Sequence, residues 1–133
     1  DRHCENAVKA AEYLRDHAQA AWVKYPALSD SPEKPLVDKY MGGRGSSVLS
    51  FGIKGGRESG AKFIDALQLV TRLVNIGDAK SLACHPATTT HRQLSPAELE
   101  RAGVSEDLVR LSIGIEHIDD ILADLDQALA AAK

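Results

Sequence analysis

The sequence predicts an α+β domain: a small sheet covered by helices on one face. Three observations predict it. Segments with apolar residues three and four apart are interleaved with short segments that alternate apolar and polar. Glycine pairs and prolines punctuate them. No repeat, low-complexity tract or linker divides the 133 residues, a length that suits one domain with a real core.

In order, a helix is expected from about His3 to His17, with Cys4, Val8, Ala11, Leu14 and Ala18 at helical spacing. A strand follows over Ala21 to Tyr25, stopped by Pro26. Ser31 as cap and Pro32 in the first helical position predict a second helix, carrying Leu36, Val37 and Tyr40 and ending at Gly42-Gly43. Ser47 to Lys54 alternates as a strand with Leu49, Phe51 and Ile53 on one face. Past Gly55-Gly56, a helix from about Glu58 to Thr71 should bury Phe63, Leu67 and Val70. Short strands are expected at Leu73 to Ile76, closed by Gly77-Asp78, and at Ser81 to His85. A polar loop, Pro86 to Leu94, precedes Ser95-Pro96-Ala97-Glu98, a capping-box helix start, and that helix stops at Gly103. Val109, Leu111, Ile113 and Ile115 then make one face of a strand, with Arg110, Ser112 and Gly114 on the other. A last helix starts near His117, with Ile118, Ile121, Leu122, Leu125 and Leu129 as its stripe and Asp119 and Asp120 at its positive end.

Composition excludes several classes of function. A net charge of -3 gives no general attraction to nucleic acid or anionic membrane, and no apolar run is long enough to span a bilayer. Two cysteines, Cys4 and Cys84, make no disulfide framework, so a reducing, cytoplasmic setting is expected. The chain opens on Asp1 and enters a helical pattern at once, which leads us to expect a fragment of a longer protein.

Arg110 is the candidate binding residue. A planar, permanently charged fork flanked by small residues suits a carboxylate or phosphate, and a plain surface charge on a half-exposed strand fits the same spacing. Cys84, His85 and His91 lack the paired short spacing of a zinc site, and no metal is expected. Gly42-Gly43-Arg44-Gly45-Ser46 resembles a phosphate loop but lies between a helix and a strand, the wrong order for one, and reads as a helix C-cap and turn. No activated nucleophile is marked. Asn75-Ile76-Gly77-Asp78 and the loop from His85 to His91 both lie just past strand ends, where polar groups converge on ligands.

Three stretches carry a family resemblance: Asn75 to Leu82 (NIGDAKSL), His85 to Leu94 (HPATTTHRQL) and Gly103 to Asp120 (GVSEDLVRLSIGIEHIDD). In this order they resemble the C-terminal domain of the Cys/Met-metabolism pyridoxal-phosphate enzymes, and their O-acetylhomoserine sulfhydrylase branch most closely. His3 to Ala7 and Ser47 to Gly56 extend the resemblance over essentially the whole chain. It implies the small domain of a fold-type I transferase. Arg110 would bind the substrate α-carboxylate, Thr90 would support that arginine, and Asn75 and Ile76 would complete the pocket through side chain and backbone. The related lyases usually carry serine where this chain has Asn75, which favours the sulfhydrylase branch. It further implies pyridoxal 5'-phosphate, an O-acetylhomoserine substrate, a sulfide or thiol acceptor, and a tetrameric parent. The family's cofactor lysine and phosphate site belong to a large domain that these residues do not match. This chain alone is therefore expected to be inactive, with no catalytic, cofactor-binding or metal residue of its own. The alternatives are another branch, a cystathionine synthase or lyase or a methionine lyase, or a stand-alone carboxylate-binding module.

Overall fold

A computed structural model describes residues 1–133. In chain order its elements are α1 (Arg2–Asp16), β1 (Ala20–Lys24), α2 (Lys34–Met41), β2 (Val48–Ile53), α3 (Gly56–Ala66), β3 (Thr71–Arg72), β4 (Leu82–Cys84), a 3-10 turn (Pro86–Thr88), α4 (Pro96–Arg101), β5 (Leu108–Ser112) and α5 (Ile118–Ala131). The five strands run β1-β2-β5-β4-β3, antiparallel except for the parallel β3–β4 edge.

The predicted alternation decides which way the sheet faces. Leu49, Phe51 and Ile53 of β2, together with Val109 and Leu111 of β5 and Ile113 just beyond it, are buried under α1, α3 and α5. Phe51 meets Phe63 of α3 edge to face, with ring centroids 5.5 Å apart. Helix α1 docks through Ala7, Ala10, Ala11 and Leu14, so small side chains bring it close to the sheet, while Cys4 and Val8 are only partly buried. Asp124 of α5 accepts the backbone N–H groups of Gln68, Leu69 and Val70 at 2.8–3.0 Å, satisfying the chain where it leaves α3.

Several expectations are corrected. Helix α2 begins at Lys34 with Glu33 as its cap, because the Ser31 hydroxyl accepts the Glu33 N–H and closes a turn instead. It buries Val37 alone and leaves Leu36 and Tyr40 exposed. Helix α3 ends at Ala66, so Leu67 is its cap and Val70 is buried from outside it. The strand expected at Leu73 to Ile76 lies earlier, at Thr71–Arg72, and Leu73, Val74 and Ile76 are exposed. Strand β5 ends at Ser112, and Ile115 is half-exposed because its N–H has left the ladder for the Ala79 carbonyl. Gly42 takes φ 59° at the end of α2, as the helix-cap reading of the glycine-rich loop requires. The capping box of α4 forms as predicted: the Ser95 N–H donates to the Glu98 carboxylate at 2.8 Å.

Candidate functional site

The sheet face opposite the three long helices carries Lys24, Ser50, Arg110 and Cys84 in one cross-strand row. Trp22, Gly52 and Leu108 form the next row. One end of this face is covered: α4 and the loop after it bring Leu99 and Val104 beside Trp22 and Leu108, and the Trp22 indole donates to Asp107 at 2.8 Å. Gly52 has no room for a side chain because Trp22 and Asp107 lie over it. Arg110 keeps partial exposure on this face, beside the buried Cys84, Leu82 and Ser112.

Arg110 is half-buried and donates from Nη2 to the Asn75 carbonyl at 3.3 Å. No carboxylate lies within ion-pair distance of it, as also for the exposed Arg2, Arg92 and Arg101, whereas Arg15, Arg44, Arg57 and Arg72 each have an acidic partner. A guanidinium has five N–H donors, so most of this one's donors remain to be satisfied. Burial pushes the thiol of the neighbouring Cys84 up, and the Arg110 charge opposes that shift. A neutral thiol leaves the arginine's charge uncompensated.

Of the four sequence-predicted residues, the structure joins two directly, Arg110 and Asn75. Ile76 is the next residue on the same turn, but its N–H is taken by the Asn75 Oδ1 at 2.9 Å. The Asn75 Nδ2 is then the group on that side chain able to donate to an anion. Thr90 is exposed and shares a 2.7 Å hydrogen bond with His91, with no hydrogen bond to Arg110.

The His85 loop is a structural post. His85 is fully buried, with Nδ1 2.9 Å from the Thr88 Oγ1 and Nε2 2.8 Å from the Glu106 carbonyl. A Cβ on Gly60 would collide with its ring. Burial holds this imidazole below its ordinary range, and His85 ties α3 to the segment entering β5. Sequence reasoning also missed the network Glu116–Ser81–Gly114: Ser81 donates N–H and hydroxyl to the Glu116 carboxylate at 2.6 and 2.9 Å, and its oxygen accepts the Gly114 N–H at 2.8 Å. Asn6 of α1 donates to the Gly114 and Glu116 carbonyls at 3.1 and 2.9 Å, locking the end of β5 to the first helix. An asparagine among the alanines of the α1 stripe was the available signal for that lock.

The family model for Cys/Met metabolism PLP-dependent enzymes matches residues 1–130. The chain belongs to that family. Among Cys/Met metabolism PLP-dependent enzymes, it is 48% identical over 130 residues to O-acetyl-L-homoserine sulfhydrylase 1 of Thermus thermophilus, covering 98% of this chain and 31% of that protein. It is 47% identical to the L-methionine gamma-lyase of Pseudomonas putida, covering 99% of this chain and 33% of that protein. It superposes on a crystal structure of a putative O-acetylhomoserine (thiol)-lyase from Campylobacter jejuni with a TM-score of 0.88 and 42% identity, covering 97% of this chain and 31% of that one. That crystal structure contains N'-pyridoxyl-lysine-5'-monophosphate. The chain thus spans about a third of the length of these relatives. The match covers nearly the whole of this chain.

The residues present do not fit a pyridoxal-phosphate attachment site. Such a site needs a desolvated lysine amine and a cradle of backbone donors for the phosphate. Lys34 is ion-paired with Asp38, and every other lysine is exposed. What the face around Arg110 offers is its guanidinium, the Lys24 amine in the same row and the polar groups of one turn.

Proposed function

We propose that this chain is the substrate-orienting domain of a PLP-dependent O-acetylhomoserine sulfhydrylase. The whole protein would replace the acetate of O-acetylhomoserine with sulfide or a thiol, giving homocysteine or a thioether amino acid. The observation that carries the reading is Arg110: a half-buried guanidinium with no acidic partner, on the sheet face opposite the long helices and beside a polar turn. An α-carboxylate would satisfy its charge and two of its donors at once. Asn75 and Ile76 border the same site from the turn, and Thr90 is the contact we assign to the loop beyond it. The cofactor would be held by the part of the protein outside this chain, so this chain alone would be inactive. Leu73, Val74, Ile76 and Ile115 are exposed apolar residues, and Ile76 adjoins the Asn75 carbonyl to which Arg110 donates. We assign them to contact with that part. By the same family reading the protein would be homotetrameric, and its cysteine usage favours a reducing, cytoplasmic setting. No helix here is long and apolar enough to cross a membrane.

The 47% identity to a methionine gamma-lyase supports a second reading, elimination from methionine. The purified full-length protein, offered O-acetylhomoserine, O-succinylhomoserine or methionine with and without sulfide, separates the two. Homocysteine formed preferentially from the acetyl ester supports the sulfhydrylase. Methanethiol released from methionine, with little homocysteine formed, supports the lyase.

A further inference from the structure

Residues 74–78 cross the end of β5 with few attachments. Before them, the Leu73 N–H reaches the Ala83 carbonyl, and after them, the Ala79 carbonyl accepts from Ile115. Between those points two hydrogen bonds join the turn to the sheet. One is from Arg110 to the Asn75 carbonyl, and the other is from the Gly77 N–H to the Ser112 Oγ, each 3.3 Å. Ser112 is two residues from Arg110 on the same strand face, a separation of roughly 6–7 Å. It is 2% exposed. Its backbone is held in register on both sides, opposite Val48 and Leu82. The hydroxyl is therefore a fixed point, and Gly77, at φ 77°, brings its N–H down onto it.

We infer that Ser112 is a positioning residue for the carboxylate site: its hydroxyl anchors the turn at Gly77, and the turn's Asn75 carbonyl then holds the Arg110 guanidinium in its binding orientation. Freed from Ser112, the turn would have Arg110 as its sole tether, and the arginine would lose its fixed partner in turn. Pre-organisation of this kind changes how well the carboxylate is held, without any contact between Ser112 and the substrate. The inference rests on the reading that Arg110 binds an α-carboxylate.

The test uses the full-length holoenzyme with norvaline and butylamine as competitive inhibitors, a pair that differs by the α-carboxylate alone. Arg110→Ala should weaken norvaline and leave butylamine unchanged. If it does not, the carboxylate reading beneath this inference fails. Given that result, Ser112→Ala should weaken norvaline inhibition about three- to tenfold, the scale of one neutral hydrogen bond, raise KM for the amino-acid substrate to match, and leave kcat and butylamine inhibition unchanged. Ser112→Thr keeps the acceptor oxygen and should restore norvaline binding. Equal weakening of both inhibitors, no weakening of norvaline, or the same loss in the threonine variant would overturn the role assigned to Ser112.

Discussion

On one side of β5, Val109, Leu111 and the following Ile113 have no solvent exposure and pack among aromatic and aliphatic side chains from three helices. On the other side, Arg110 is half-buried, paired with a carbonyl and no acid, and neighboured by Ser50, Cys84 and Ser112. The same backbone ladder holds both. The main core lies on one face, and the other carries an uncompensated charge beside a smaller set of buried residues, Leu82, Cys84 and Leu99. A strand inside a sheet is also a rigid mount, so the arginine's Cα is fixed while its side chain keeps partial exposure.

Changes on the two faces should separate cleanly. The largest expected effect is on the packed side: Leu111→Ala should cost about 2–5 kcal/mol in denaturant unfolding, through lost burial and the cavity left behind. Asp124→Ala should cost about 2–4 kcal/mol, since it leaves three backbone N–H groups without their acceptor. His85 adds a pH dependence whose sign follows from its lowered pKa. The folded chain keeps the ring neutral while the unfolded chain protonates below about pH 6.5. Its contribution is complete above that value and is lost as pH falls below it, and His85→Gln should flatten that part of a stability–pH profile. Ser95→Ala should remove the cap of α4 for about 1 kcal/mol. At the small end, Arg110→Ala should change unfolding by less than about 0.5 kcal/mol. A destabilisation by Arg110→Ala as large as that of Leu111→Ala would dissolve the contrast between the faces.

The packed face was legible in the sequence because burial imposes a period. Leu49, Phe51 and Ile53, and Val109, Leu111 and Ile113, follow it. The period misled where a tertiary bond ended the element first. Ile115 continues the alternation, yet its N–H goes to Ala79. Ser31-Pro32 has the form of a helix start, yet the Ser31 hydroxyl closes a turn on Glu33. The site was legible in part. Arg110 stands out by its type and small neighbours, and the structure sets it against the carbonyl of Asn75, a residue the sequence also singled out. Ser112, the Glu116–Ser81 pair and the fully buried His85 were not legible, because each acts through a bond to a residue distant in sequence or to a backbone group. Residue type does not announce such bonds.

The central claim is that Arg110 holds an α-carboxylate on a scaffold it does not help to stabilise. The most direct measurement is steady-state kinetics of Arg110→Ala in the full-length protein with O-acetylhomoserine, beside its unfolding curve. The expected result is a loss of about 2–4 kcal/mol in kcat/KM, carried mainly by KM, at unchanged stability. Unchanged kinetics, or a loss that merely follows a fall in stability, would contradict it.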